Sequence, residues 1–278
     1  MAEISADVVK KLREATNVSM MECKRALVEA DGDIEKATRI LRERGIAIAS
    51  KKASRATNQG IIASTTTADG KTASLLQVNC ETDFVVRNDN FRKFVDVLAV
   101  KACSTDENLT ETMKADLTAK IAEIGENIVI TRNTRFVLQG TGAIASYIHM
   151  GGKVGVLVDV ACEKAETINN PIFKELIKDL TLHVAASRPR YLTSAEVPAD
   201  VIKAEREIYA KQVTGKPANI IDKIVDGKMK KFYEEVCFVN QLFVKEQKET
   251  ITSLLDAKAK LVGDTLKIRR FVRYQLGE

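Results

Sequence analysis

The chain contains part of itself twice, and the second copy is interrupted. A shift of 82 positions lays Gly60-Ile61-Ile62-Ala63-Ser64 on Gly142-Ala143-Ile144-Ala145-Ser146 and Gly70-Lys71 on Gly152-Lys153. The same shift lays Leu75, Val78 and Cys80-Glu81 on Leu157, Val160 and Cys162-Glu163, without a gap. It also carries Phe91, Phe94 and Leu98 onto Phe173, Leu176 and Leu180, so a helical apolar pattern repeats along with the strands before it. Near the end the shift becomes 138, placing Gly125, Ile130, Arg132 and Phe136 on Gly263, Ile268, Arg270 and Tyr274. The second copy therefore carries a net insertion of 56 residues. Two long copies make a duplicated subdomain pair, because stacked repeat arrays have shorter periods and more units.

The copies disagree most after the central strand. Copy one reads Thr82-Asp83-Phe84-Val85, where copy two reads Lys164-Ala165-Glu166-Thr167. If both copies share one fold, the fold does not demand this turn. An acid beside a large aromatic, between a strand and a helix, is placed to enter another molecule. The local sequence leaves equally open that Phe84 folds back onto the helix it precedes.

The order of apolar patterns predicts an α+β chain. Residues 1–53 read as a three-helix domain: Val8, Val9 and Leu12 on the first helix; Cys23, Ala26 and Leu27 on the second, opened by Ser19 with Glu22 as a capping box; Ile34, Ala37, Ile40 and Leu41 on the third. Asp33 caps the third helix and Gly45 ends it. So thin a core suits docking better than catalysis. Met20 and Met21 are adjacent, so both cannot face that core, and methionine makes an adaptable contact.

Residues 54–59 read as a linker. Subdomain one, 60–141, has strands at 60–67, 72–80 and 128–138 and helices through Phe91–Leu98 and about Thr110–Ile124. Subdomain two, 142–190 and 238–278, repeats the scheme. The insertion, 191–237, has apolar stripes on both sides of Thr214-Gly215-Lys216-Pro217 and predicts an antiparallel helical hairpin. Its stripes serve first to pack the two helices together; pairing of two copies through it stays open.

Net charge is +5 in 278 residues, with Lys and Arg scattered among acids, so nothing demands nucleic acid as a partner. The five cysteines show no metal-ligand or redox spacing, and Cys80 and Cys162 occupy equivalent strand positions, which points to packing of reduced thiols. No basic apolar leader and no membrane-length apolar run is present, so a cytoplasmic protein is expected. The two histidines, His149 and His183, lie far apart in sequence, and each has an ordinary structural or surface role as its simplest reading. The glycine strings at 140–142 and 151–153 are too short to cradle phosphate. No catalytic group, cofactor or metal site is expected, and weight shifts to a binding protein.

Several strings resemble one family. Thr16-Asn17-Val18-Ser19-Met20-Met21-Glu22-Cys23-Lys24-Arg25-Ala26-Leu27, Val78-Asn79-Cys80-Glu81-Thr82-Asp83-Phe84-Val85 and Ile124-Gly125-Glu126-Asn127-Ile128 occur in order. His183-Val184-Ala185-Ala186-Ser187 and Gly227-Lys228-Met229-Lys230-Lys231-Phe232 follow. Together they are similar to the bacterial elongation factor Ts family over essentially the whole chain.

The resemblance implies a guanine-nucleotide exchange factor for elongation factor Tu, with a ubiquitin-associated-like N-terminal domain, a two-part core and a coiled-coil hairpin. It implies that Thr82, Asp83, Phe84 and Val85 insert beside the GTPase's magnesium and phosphate site. It also implies contacts from Met20, Met21, Lys24 and Ile124, and from His149 and Val244 on copy two. The sequence departs from the family pattern at Asn17, Ser19, Met150 and Leu242, on which local turn geometry and the His149 contact depend. A ribosome- or RNA-associated binding protein is the alternative, to be told apart by strongly salt-dependent RNA affinity.

Overall fold

The computed structural model describes residues 4–213 and 217–278. Three helices come first: α1 (Ala6–Thr16), α2 (Met20–Glu29) and α3 (Ile34–Lys52). Helix α1 ends at Asn17, whose φ of 53° lies in the left-handed region that asparagine tolerates better than most residues. The Ser19 hydroxyl accepts from the Glu22 N–H, and the Asp33 carboxylate accepts from the N–H groups of Glu35 and Lys36, as the capping pattern predicts. Their shared core is small, built from Val9, Leu12, Cys23, Ala26, Leu27, Ala37 and Leu41.

Gly45 does not end the third helix. Helix α3 runs on to Lys52 because its second half packs on the body of the molecule. A side chain at Gly45 would lie 3.4 Å from Ala122 Cβ, and Ala49 joins the core of the first subdomain. Burial of this face offsets the roughly 1 kcal/mol helix penalty of an interior glycine.

The chain then forms β1 (Gln59–Thr66), β2 (Thr72–Cys80), α4 (Asp83–Arg87), α5 (Asp89–Ser104), α6 (Leu109–Thr112), α7 (Lys114–Ile124) and β3 (Ile128–Val137). The single helix expected near 110–124 is thus two, broken at buried Met113. Copy two gives β4 (Gly142–His149), β5 (Val154–Ala161), α8 (Pro171–Ser187), the inserted α9 (Ala199–Lys211) and α10 (Ala218–Val236), then α11 (Ile251–Val262) and β6 (Lys267–Gln275). Strand order is β1-β2-β3 in one antiparallel sheet and β4-β5-β6 in the other. Both central strands are interrupted at equivalent places, between Gln77 and Val78 and between Asp159 and Val160.

Central strands buried on both faces show how the copies meet. Leu76, Val78 and Cys80 face α5 and α7, while Val156, Val158 and Val160 face α8 and α11. The opposite faces of the two sheets pack on each other through Ile62, Ala73, Leu75 and Phe136 against Ile144, Leu157 and Tyr274. The layers are therefore helix, sheet, sheet, helix. Gly155 permits the approach: a Cβ there would fall 2.4 Å from Ile62 Cγ2.

The seam repeats one polar device twice. Arg132 donates to Gln77 Oε1 (2.8 Å) and to the Gln275 carbonyl (2.9 Å), with its guanidinium 4.4 Å from the Tyr274 ring centre. Arg270 donates to Asp159 Oδ2 (3.0 Å) and to the Val137 carbonyl (2.6 Å), 4.2 Å from the Phe136 ring. The two arginines and the three partners of each correspond under the shifts found in the sequence.

Helices α9 and α10 lie antiparallel, joined by Val201, Ile202, Tyr209, Val225, Met229 and Phe232 and by the Arg206–Asp226 pair at 2.8 Å. The expected breaker falls mainly outside the described residues, with only Pro217 within them, at the start of α10.

Candidate functional site

Copy one's divergent turn is a single helical turn, α4, standing between β2 and α5. Thr82 occupies its N-cap position, yet its hydroxyl does not cap the helix. It donates instead to Glu126 Oε1 at 2.6 Å. The other oxygen of that carboxylate accepts from the N–H groups of Glu81 and Thr82, each at 3.0 Å. One side chain from the loop before β3 thus receives three hydrogen bonds from the root of the turn. Charge assistance makes such bonds stronger than neutral ones.

Phe84 is 78% exposed. The fold-back reading is overturned, and the cause is its neighbour. Val85 is buried among Phe91, Phe94 and the strands of the first sheet. Successive side chains on a helix point roughly 100° apart, so an inward Val85 aims Phe84 outward. The Val85 side chain anchors the turn from within. Asp83 is exposed and pairs with Arg87, at 2.8 Å on the same helical turn. An exposed pair of this kind is easily given up.

Copy two separates what the fold needs from what the tip adds. There Asp264 takes the place of Glu126, accepting from the N–H groups of Glu163 (3.1 Å) and Lys164 (3.0 Å) and from the Thr167 hydroxyl (2.6 Å). Desolvation pushes the Asp264 carboxyl upward, but the Thr167, Lys164, Thr265 and Glu163 donors outweigh it and bring its pKa down to about 2. Under each turn a buried thiol donates to a carbonyl: Cys80 to Thr82 and Cys162 to Lys164. Burial pushes the Cys80 thiol up to about 12, so it stays protonated and works as packing. The carboxylate brace is common to both copies, whereas the projecting aromatic belongs to copy one. Sequence reasoning missed Glu126; its signal was the string Gly125-Glu126-Asn127, aligned with Gly263-Asp264-Thr265.

The remaining candidates fall on three surfaces. Ile124, half-buried at the end of α7, packs on the same core as Val85. Met20, Met21 and Lys24 are all exposed on α2, where Met21, Lys24 and Val28 line a shallow hollow of about 340 Å³. Both methionines, rather than one, face outward. His149 and Val244, 95 residues apart in sequence, meet in one groove of about 620 Å³ with Tyr147, Met150 and Leu182. The Tyr147 hydroxyl lies 2.8 Å from His149 Nδ1 and orients the ring. Met150 takes a φ of 51° and stands exposed at the groove rim.

His183 supports this groove from below. Its Nε2–H donates to Gln241 Oε1 (2.9 Å), and its Nδ1 accepts the Val244 N–H (3.2 Å), which requires the neutral ring. Phe238 stacks on it with ring centres 5.6 Å apart. Burial lowers its pKa, against the opposing pull of Gln241.

Among the described residues no group of His, Cys, Asp and Glu is arranged to hold a metal, and no helix is long and apolar enough to cross a membrane. The gathered groups offer shape, apolar surface and hydrogen bonds.

Comparison with known proteins supplies the class, a translation elongation factor. A family model described as Elongation factor TS matches residues 81–278. "Elongation factor Ts" of a Nitratiruptor species is 46% identical over 99% of this chain and 93% of its own length. The proteins so named from Clostridium botulinum and Nitratidesulfovibrio vulgaris are 43% and 42% identical, each over 99% of this chain, and over 93% and 96% of their own lengths. The chain belongs to the elongation factor Ts family.

Proposed function

We propose that the chain is a guanine-nucleotide exchange factor for elongation factor Tu, acting in the cytoplasm during translation elongation. The observation that carries this reading is Phe84, an exposed aromatic that copy two lacks, on a turn held by Glu126 and Val85. A preorganised aromatic loses little entropy on binding and is the residue type that dominates interfaces. Asp83 and Phe84 enter beside the GTPase's magnesium and phosphate site and stabilise a packing of its loops that holds nucleotide poorly.

No covalent step is needed. A factor that prefers the empty GTPase weakens GDP by the same factor by which GDP weakens it, since linkage is reciprocal. GTP, rebinding, then displaces the factor. Met20, Met21 and Lys24 hold the nucleotide-binding domain, while the groove of His149 and Val244 holds a second domain of the partner. Several grips make the wedge's encounter intramolecular and raise its effective concentration.

The test is the release rate of a fluorescent GDP analogue from elongation factor Tu. The native chain accelerates release. Phe84→Ala weakens the factor by about 2 kcal/mol, or ~30-fold, as truncating an interface hot spot does. No acceleration by the folded native chain overturns the reading and turns attention to RNA, whose binding would fall steeply with salt.

A further inference from the structure

The segment expected to be a linker is tied down. Residues 53–56 and 58 are exposed, but their backbone is held at several points. Asn127, itself buried, donates through Nδ2 to the carbonyls of Arg55 (3.0 Å) and Ala53 (3.4 Å). Asn79 Nδ2 donates to the Thr57 carbonyl at 2.8 Å. The Lys52 ammonium reaches the Gly125 carbonyl at the end of α7.

The same asparagine is joined to the wedge. Its backbone N–H donates to Glu81 Oε1 at 2.7 Å, and the other Glu81 oxygen pairs with Arg55 at 3.4 Å. The Asn127 N–H, ahead of the Arg55 pair, holds the Glu81 carboxyl below its usual range. Glu81 in turn donates its N–H to Glu126, which braces Thr82. A continuous run of hydrogen bonds thus leads from the end of α3, through Asn127, Glu81 and Glu126, to the base of Phe84's turn. Copy two keeps the carboxylate brace and omits the rest: Thr265 stands where Asn127 would, and its N–H goes to Asp264. The side-chain amide of Asn127 is therefore an addition that the fold itself does not require.

We propose that Asn127 is a positioning residue that locks the 53–58 segment to the wedge, so that the three-helix face of Met20, Met21 and Lys24 and the tip at Phe84 meet the partner at one fixed spacing. The proposal rests on the exchange-factor reading, in which both faces touch the same GTPase. A stiff connection of matching span gives the second contact a high effective concentration, and a loose one lowers it. Since the segment is exposed, the carbonyls released by Asn127→Ala pass to water, and the fold loses little.

The experiment compares the native chain, Asn127→Ala, a Met20→Ala/Met21→Ala variant and the triple combination, titrated against GDP release from elongation factor Tu. With Asn127→Ala the half-saturating concentration rises about tenfold, the maximal rate at saturation is kept, and the loss vanishes once the two methionines are gone. Additive losses, a lowered maximal rate with unchanged half-saturation, or no change each overturn the proposal. Arg55→Ala, which removes an exposed partner of Glu81, moves in the same direction should Asn127→Ala fail to fold.

A second measurement needs no partner. Spin labels at Val28→Cys and Phe84→Cys report the distance distribution between the two faces, which widens with Asn127→Ala. Widening without GDP release by the native chain separates failure of the exchange reading from failure of the lock. Exchange by the native chain with an unwidened distribution overturns the lock alone.

Discussion

The hydroxyl of Thr82 donates to the carboxylate of Glu126 across 44 residues of sequence, at 2.6 Å. This bond takes the N-cap threonine away from its local role and ties a one-turn helix to the loop before β3. A helix that short cannot hold itself, because nucleation costs more than one turn returns. Its rigidity is borrowed from Glu126 on one side and Val85 on the other.

Glu126→Ala leaves the N–H groups of Glu81 and Thr82 without an acceptor. The expected cost is about 1–3 kcal/mol of stability, read as a lowered denaturant midpoint, with a parallel loss of GDP release because the tip is no longer held. Unchanged release at full folding would show that the brace does not preorganise Phe84.

Neighbouring substitutions on the turn separate by direction. Val85→Ala opens a cavity in the core and costs roughly 2 kcal/mol of folding stability. Phe84→Ala, on an exposed side chain, stays within about 0.5 kcal/mol in thermal unfolding while losing partner affinity. The reverse pattern would place Phe84 in the core and refute the assignment of the tip.

His183 makes stability depend on pH in a defined window. Its folded-state pKa lies below the ordinary 6.5, and its partners Gln241, Ser187, Phe238 and Phe243 and the Val244 N–H are uncharged. The unfolded chain therefore binds a proton that the folded chain refuses. Stability is complete above pH 6.5 and falls as pH drops below it, with a slope approaching 1.4 kcal/mol per pH unit. His183→Gln should flatten this part of the profile in urea unfolding. A native profile already flat between pH 7 and 5 would contradict the buried neutral ring.

Asp159 is fully buried between Arg269 (2.9 Å) and Arg270 (3.0 Å). Removing one member of a buried ionic group strands the others, so Asp159→Ala is expected to cost about 3–5 kcal/mol. Asp159→Gln should cost less, because copy one already seats Arg132 on Gln77 at the corresponding place. Equal losses in calorimetry would mean that charge, rather than hydrogen bonding, holds the seam.

The regular elements followed from short-range rules. Apolar spacing marked α1–α3, Ser19 and Asp33 capped where local chemistry placed them, and the shift of 82 residues paired the strands of the two copies. Gly45 misled, since a breaker signal weighs only local propensity and the packing against Ala122 reversed it. Residues 54–59, read as a linker, lack periodicity, and the groups that hold Arg55 and Thr57, Asn127 and Asn79, arrive from elsewhere in the chain.

The duplication, the helical insertion and the divergent Thr82–Val85 turn are legible along the chain, because periodicity and repetition are properties of neighbouring residues and of copies laid side by side. Packing in three dimensions sets Phe84 outward and Val85 inward, brings His149 and Val244 into one groove, and lets Glu126 and Asn127 bind the Thr82–Val85 turn to its surroundings. Those outcomes depend on which distant groups come within hydrogen-bonding or packing distance of each other. Such contacts are set by how the layers pack, and residue spacing along the chain does not encode them.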